Sequence, residues 1–310
     1  MHVLVVGSMA YDSVETWAGK RDRALGGSAT FFSMASSHFA RTDIVAVVGE
    51  DFDPRDLERL RKRGVGLEGV ETRPGETFRW GGRYSRYFET RETLFTELNV
   101  FASFRPVIPE ALRNAEVVFL ANIHPRLQGQ VLDAMRKPAF VALDTMNFWI
   151  NGEREPLMAV MPRVDLLLLN DEEAFALSGS GNMLQAAEAI RAMGPRAVVI
   201  KRGEHGAWLF TAERSLQVPA VPLREVTDPT GAGDSFAGGF VGWLARRGRF
   251  DTDTLAEAMV VGTLVASCTV EDFSVDGLER LTQATLVERH QRIRGVVSDL
   301  AVNWQAGGSE

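Results

Sequence analysis

Short runs of wholly apolar, largely β-branched residues constrain this chain more than any other feature. They are Val3–Val6, Ile44–Val48, Val117–Leu120, Phe140–Leu143, Leu166–Leu169 and Ala197–Ile200. A strand that is apolar at every position has no side for water, so it belongs in a sheet covered on both faces, as parallel sheets are. Between the runs lie helical patterns at Ala29–Phe39, Arg55–Arg63, Leu127–Arg136 and Leu184–Met193. The βαβα order predicts an α/β layered fold with right-handed crossovers. A chain of 310 residues can bury a core of that kind without disulfides.

Two segments break the rhythm. Tyr11–Thr16 reads as a short strand just after the first buried one. Thr77–Phe104 is rich in Thr, Tyr, Phe and Arg, has no helical period, and contains Gly81-Gly82 as a candidate hairpin turn. Together they predict a β insertion standing off the main sheet, either a solvent-exposed hairpin or a lid over a site. Later, Gly206–Phe210 and Leu216–Val218 suit an antiparallel pair. Three helical stretches follow, at Gly233–Arg247, Thr254–Cys268 and Asp276–Val297, and the tail Gln305–Glu310 is expected to fray.

Charge and cysteine content narrow the setting. The 34 basic and 41 acidic residues give a net charge of -7, which argues against a broad nucleic-acid surface. No apolar run approaches the ~20 residues of a spanning helix, and Met1–Gly7 reads as a buried strand rather than a signal peptide. The lone Cys268 cannot form an internal disulfide, which fits a reducing compartment. The expectation is a cytoplasmic protein with a small-molecule substrate and neither nucleic acid nor membrane as partner.

The segment Thr227-Asp228-Pro229-Thr230-Gly231-Ala232-Gly233-Asp234-Ser235 places turn formers ahead of a helical stretch. A glycine turn feeding a helix N-terminus offers free amides and the positive end of the helix dipole to an anion. Such a cradle suits the charge on a transferring phosphoryl group. By position alone Asp234 is an ordinary first-turn acid. The density of glycine around it favours a second role, accepting a proton from an attacking hydroxyl. Asp228 and Pro229 are also plain turn chemistry.

The pattern Asp228–Asp234 resembles the C-terminal signature of the PfkB (ribokinase-like) carbohydrate kinase family, and the resemblance runs over nearly the whole chain. Gly26-Gly27-Ser28-Ala29 looks like that family's N-terminal double glycine. Asp12 matches its substrate-hydroxyl carboxylate. Asn170-Asp171-Glu172-Glu173 matches its Asn-x-x-Glu motif. Val199–Ala207, with Lys201 and Gly203, looks like the turn bordering the nucleotide. The resemblance implies a ribokinase-like three-layer α/β fold with a central mostly parallel sheet and a small β lid. It implies one kinase domain over 1–310, with lid segments at about 11–17 and 77–104.

It further implies Asp234 as base, and the amides of Gly231, Ala232, Gly233 and Asp234 as anion hole. ATP lies along Asn170, Glu173, Lys201, Gly203, Thr227, Gly231 and Gly233, with Mg2+ near Asn170 and Glu173. Asp228 and Thr230 match positions that in the family often help bind a monovalent cation such as K+. One register departs: where the family commonly places a substrate-contacting Asn, this chain has Phe31.

Strand ends supply the remaining candidates. Asn122, and Asn147 in Asp144-Thr145-Met146-Asn147, should lie at the carboxyl edge where α/β sheets bind ligands. They either face substrate with Asp12, Gly26, Gly27 and Ser28 or cap loops. Lys201 either meets a nucleotide phosphate or is a strand-end charge. The lid arginines Arg79, Arg83 and Arg86 face either a substrate phosphate or water. The expected reaction is ATP-dependent phosphorylation of a hydroxyl on a sugar or sugar-like molecule. A nucleoside kinase, a sugar-phosphate kinase and a non-catalytic binder on the same fold are the alternatives. A homodimer through the lid is a further expectation.

Overall fold

The computed structural model describes residues 1–297; the tail expected to fray lies outside them. Strands are β1 (Val3–Val6), β2 (Ala10–Thr16), β3 (Gly19–Gly26), β4 (Thr42–Gly49), β5 (Val65–Arg73), β6 (Phe78–Tyr84), β7 (Arg91–Glu97), β8 (Val117–Leu120), β9 (Phe140–Asp144), β10 (Leu166–Asn170), β11 (Ala197–Lys201), β12 (Ala207–Phe210) and β13 (Ser215–Val218). Helices are α1 (Ser28–Ser36), α2 (Pro54–Lys62), α3 (Pro125–Ala134), α4 (Asn147–Gly152), α5 (Arg154–Val160), α6 (Asp171–Ser178), α7 (Met183–Ala192), α8 (Ala232–Arg247), α9 (Thr252–Thr269), α10 (Asp276–Glu279) and α11 (Gln283–Val297).

The apolar runs lie side by side in a nine-stranded sheet of order β13-β12-β11-β10-β9-β8-β1-β4-β5. From β5 to β11 neighbours pair in parallel; β12 and β13 add an antiparallel edge. Strand periodicity explains why these runs are apolar throughout. Val3 and Val5 of β1 enter one core with α1, α8 and α9, while Leu4 and Val6 enter another with α3, α5 and α7. Two full cores on opposite faces make three layers.

Packing between α8 and α9 is close enough to exclude side chains. A Cβ on Gly239 would come 2.9 Å from Val265 Cγ2, and one on Gly262 would come 2.8 Å from the Phe236 carbonyl oxygen. The carbonyl of Val270, just past the end of α9, accepts the amides of Thr227 (2.7 Å) and Asp228 (3.2 Å). The glycine loop therefore hangs from the end of α9.

A second sheet, ordered β3-β2-β6-β7, forms the lid. Its pairs are antiparallel except β2 with β6, which is parallel. Gly81 and Gly82 do not form the turn expected of them. They sit inside β6 at a register shift opposite β7, and the connection runs through Ser85–Thr90. The physical reason is room: side chains at 81 and 82 would overlap the rings of Phe95 and Trp80. The charged strand β3 was not anticipated from sequence. The stretch Asp276–Val297 is not one helix either; it is divided between α10 and α11 because the Thr282 hydroxyl accepts the Thr285 amide and starts a new helix. Among the described residues no helix is long and apolar enough to cross a membrane.

Candidate active site

The carboxyl ends of β9, β10 and β11 deliver Asp144, Asn170 and Lys201 to one edge of the sheet. Lys201 Nζ donates to Asp144 Oδ2 at 3.2 Å, and both side chains are largely buried. Lys201 also faces the glycine loop: a Cβ on Gly233 would lie 3.1 Å from its ammonium nitrogen. Burial by itself would lower the Lys201 pKa. Asp144, Glu173 and Asp234 around it outweigh that and hold it above the ordinary lysine range.

Asn170 caps α6. Its Oδ1 accepts the Glu173 amide at 2.8 Å, and Glu173 Oε2 accepts the Asn170 amide at 2.8 Å. This reciprocal box accounts for both residue types on structural grounds alone. It uses one Glu173 oxygen and leaves the other without a hydrogen bond among the described residues. Burial raises the Glu173 pKa, with Asp144 adding to the shift, while Lys201 and Arg91 oppose it.

The loop before α8 has an unusual start. Gly231, at φ 75°, takes the place of a capping side chain. Only a residue without Cβ fits, because Phe31 lays its ring against that position. Phe31, 2% exposed, thus holds the loop from below. The Ala232 amide donates to the Pro229 carbonyl at 3.2 Å, and the Ser235 amide to Gly231 at 2.8 Å. Gly233 and Asp234 lie between them and have no backbone acceptor among the described residues. Of the amides expected to form an anion hole, Ala232 is therefore already engaged.

Asp234 is half-buried, yet its carboxyl stands in a dense shell of side chains. Burial pushes its pKa up to about 7, with Asp144 and Glu173 adding to the shift and Lys201 opposing it. Asp12, 7% exposed, is also raised to about 7, first by burial and then by Asp228 and Asp234. Gly26 leaves the space that the Asp12 carboxyl fills, and Gly27, at φ 95°, caps α1. Asp228, 1% exposed, accepts the Thr230 amide at 2.8 Å, and burial raises its pKa. Asp234 thus shares its surroundings with Asp12 and with Asp144, Glu173 and Lys201.

Other expected residues are used internally. Ser28 shares hydrogen bonds with Ser8, tying down the turn after β1. Asn122 donates to Met146 Sδ at 3.1 Å and accepts from Trp149 Nε1 at 2.7 Å, so its amide is occupied. Gly203 is an exposed turn residue at φ 51°. In contrast, Asn147 Oδ1, Thr145 Oγ1 and Ser235 Oγ are buried with no partner. Unpaired buried oxygens beside a carboxylate cluster mark a place built for polar ligands. Asp144 was only one of several polar residues at a strand end in the sequence; its pairing with Lys201 makes it central.

The lid is tied to the loop twice. Thr16 Oγ1 donates to the Thr227 carbonyl at 2.8 Å, and the Tyr84 hydroxyl hydrogen-bonds Thr230 Oγ1 at 3.1 Å. Both anchors join segments far apart in sequence, so neither is readable from local pattern.

A family model described as pfkB family carbohydrate kinase matches residues 2–279. A cytidine kinase of Thermococcus kodakarensis is 28% identical over 253 residues, covering 79% of this chain and 89% of the relative. A nucleoside kinase of Methanothermobacter thermautotrophicus is 26% identical over 272 residues, covering 77% and 81%. The crystal structure of a putative ribokinase II from E. coli, in complex with ATP and Mg2+, superposes with TM-score 0.77. It is 19% identical and covers 94% of this chain and 99% of that one, so the two share a fold.

Proposed function

The chain belongs to the pfkB family of carbohydrate kinases, and from that premise we propose that it transfers the terminal phosphoryl group of ATP to a hydroxyl of a sugar or nucleoside. The observation that carries this reading is the place of Asp234. It stands at the mouth of the Gly231 loop with its pKa pushed up to about 7, between Asp12 and the Lys201–Asp144 pair. A carboxylate of that basicity can take up a proton near neutral pH and still exist ionised.

The residues present suit a nucleotide triphosphate. The open Gly233 and Asp234 amides, the positive end of α8 and the Lys201 ammonium offer donors to anionic oxygens. A side chain at 233 would fill the space beside Lys201. When bound, ATP supplies the phosphoryl group, and Mg2+ neutralises its charge. Glu173 and Asn170 would hold the ion largely through water, since Mg2+ keeps several waters and takes few protein ligands. Asp12 would accept a hydrogen bond from an acceptor hydroxyl. Asp234 takes the proton of the reacting hydroxyl as its oxygen bonds to phosphorus, and the bond to the leaving ADP oxygen breaks. The lid, anchored through Thr16 and Tyr84, keeps water from the phosphorus. Asp228 and Thr230 would hold a monovalent cation, which would favour the ionised form of Asp228; a K+ requirement of turnover tests that role.

A nucleoside acceptor is favoured by a cytidine kinase and a nucleoside kinase, two of three relatives aligned over about three quarters of the chain; the third, a 2-dehydro-3-deoxygluconokinase, keeps a sugar acid as the second reading. An acceptor phosphate held by Arg79 and Arg83 is disfavoured, because these pair with Glu97 and Glu15 within the lid. The test is ADP release with Mg2+ over a panel of nucleosides, sugars, sugar acids and sugar phosphates. A compound that raises turnover in wild type and not in Asp234→Asn supports the reading. Equal turnover in both proteins would remove Asp234 from its role.

A further inference from the structure

Arginines of the lid are mostly committed. Arg79 pairs with Glu97 at 3.4 Å, and Arg83 pairs with Glu15 at 3.1 Å and Glu92 at 3.6 Å. Arg91, the first residue of β7, has no carboxylate partner among the described residues. Its surroundings are nevertheless specific. It lies opposite Tyr84 in the β6–β7 register, and directly opposed residues share a face. Tyr84 reaches Thr230 of the glycine loop from that face. The Arg91 guanidinium stacks over the Trp80 ring, 5.5 Å from its centroid. Trp80 in turn is in register with Asp12, which also faces the site. Burial raises the Tyr84 phenol pKa, and the hydrogen bond with Thr230 and then the charge of Arg91 oppose the rise.

A planar guanidinium thus lies on the lid face from which Tyr84 reaches the anion loop, over an indole ring and with no carboxylate partner among the described residues. The recess below holds Asp12, Asp144, Glu173, Asp228 and Asp234 with the Lys201 ammonium among them. Among these acids, each cation that reaches the triphosphate besides Lys201 and Mg2+ lowers the repulsion it meets. An arginine fork matches the spacing of phosphoryl oxygens, and its charge-assisted hydrogen bonds are about twice as strong as neutral ones. The requirement differs from that met by Lys201, which comes from the rigid sheet; Arg91 arrives only with the lid.

We infer that Arg91 is a catalytic residue that binds the terminal phosphoryl group of the donor nucleotide from the lid side, opposite Lys201. The inference rests on the kinase reading above and adds a residue to it. It makes lid position and phosphoryl binding one event: with the lid raised, the terminal phosphate loses a cation.

Calorimetric binding of Mg·ADP and of Mg·adenylyl imidodiphosphate, whose terminal group cannot be transferred, separates the possibilities without turnover. Arg91→Ala should weaken the triphosphate analogue roughly 10- to 100-fold, the range of a hydrogen bond to a charged group, and leave Mg·ADP unchanged. Arg91→Lys should recover part of the loss, since it keeps charge but not the fork. Arg83→Ala, a neighbouring lid arginine, should change neither affinity. Unchanged melting temperature in Arg91→Ala separates a binding defect from unfolding. Equal affinities of wild type and Arg91→Ala for the analogue, or equal losses for both nucleotides, overturn the inference and leave the kinase reading standing. An effect confined to the KM of the acceptor overturns it too, since Arg91 would then hold the acceptor. If wild type binds neither nucleotide, the kinase reading falls and this inference falls with it.

Discussion

The carboxyl edge of the main sheet and the inner face of the lid meet over one recess, yet they carry charge in opposite ways. On the sheet, Asp144 and Lys201 end strands that are otherwise buried and pair with each other, and Glu173 at the start of α6 crowds against them with a raised carboxyl pKa. On the lid, β7 is almost wholly exposed, and most arginines are neutralised by glutamates of neighbouring strands. The first arrangement keeps like charges near one another at the expense of stability; the second screens them in water. The polar groups at the sheet edge are thus held by packing, whereas lid residues paired only in water stay cheap to replace.

The largest test of that contrast is Asp234→Asn. Turnover should fall roughly 10²- to 10⁴-fold, the range of a general base, with circular dichroism unchanged. In wild type, kcat/KM should decline as pH falls through about 7, because Asp234 becomes protonated there. Asp12→Asn should keep that acid limb and Asp234→Asn should lose it; a limb surviving in Asp234→Asn would assign it to another group.

Next comes Gly231→Ala. It places a methyl against Phe31 in a backbone region that disfavours it, so it should destabilise by about 1–3 kcal/mol in denaturant unfolding and also lower turnover. An innocuous Gly231→Ala would mean the loop has more room than the Phe31 contact indicates.

Asp12→Asn makes a converse prediction for stability. Its folded pKa, about 7, exceeds the ordinary 3.8 of the unfolded chain, so the folded state binds the extra proton. The associated stability is present below about pH 4 and is lost as pH rises through about 7. At pH 8 the ligand-free Asp12→Asn protein should melt about 2–4 °C above wild type, equivalent to roughly 1 kcal/mol. The gap should narrow at pH 5 and close below about pH 4. A gap that is as wide at about pH 4 as at about pH 8 would trace the gain to something other than Asp12 ionisation.

On the lid side the effects shrink. Tyr84→Phe removes the hydrogen bond to Thr230 and should cost about 1 kcal/mol of lid closure, seen as a several-fold rise in KM. Arg83→Ala should leave melting temperature and turnover within error. A large effect at Arg83 would break the distinction between the two regions.

How much of this was legible in the sequence follows the same division. The apolar runs that became β1, β8, β9, β10 and β11 announced themselves because both their faces are dry. Strand β3 did not, since Gly19–Arg23 is exposed and charged and pairs only through backbone. The motif at Asp228–Asp234 was readable because turn chemistry and glycine spacing are local, and Asp12 was named only through the family resemblance. The occupancy of Asn122 by Trp149, the ring of Phe31 beneath Gly231 and the alignment of Arg91 with Tyr84 were not. Each depends on a contact between distant segments, and in the lid on a strand register that a bulge at Gly81–Gly82 shifts.

The suspension of the glycine loop from Val270 gives the helix pair α8–α9 an influence beyond its packing. The loop's height over the sheet is set at the far end of a helix whose approach to α8 depends on bare glycines at 239 and 262. A methyl added at Gly262 would meet the Phe236 carbonyl and push α9 outward. The Val270 carbonyl would carry that displacement to Thr227 and Asp228. Misplacement of reacting groups by ~1 Å can cost about a hundredfold in rate. Packing at this helix junction thus acts as a setting screw for the loop. Drift of sequence at that junction would retune the enzyme's speed while every residue lining the recess stayed the same.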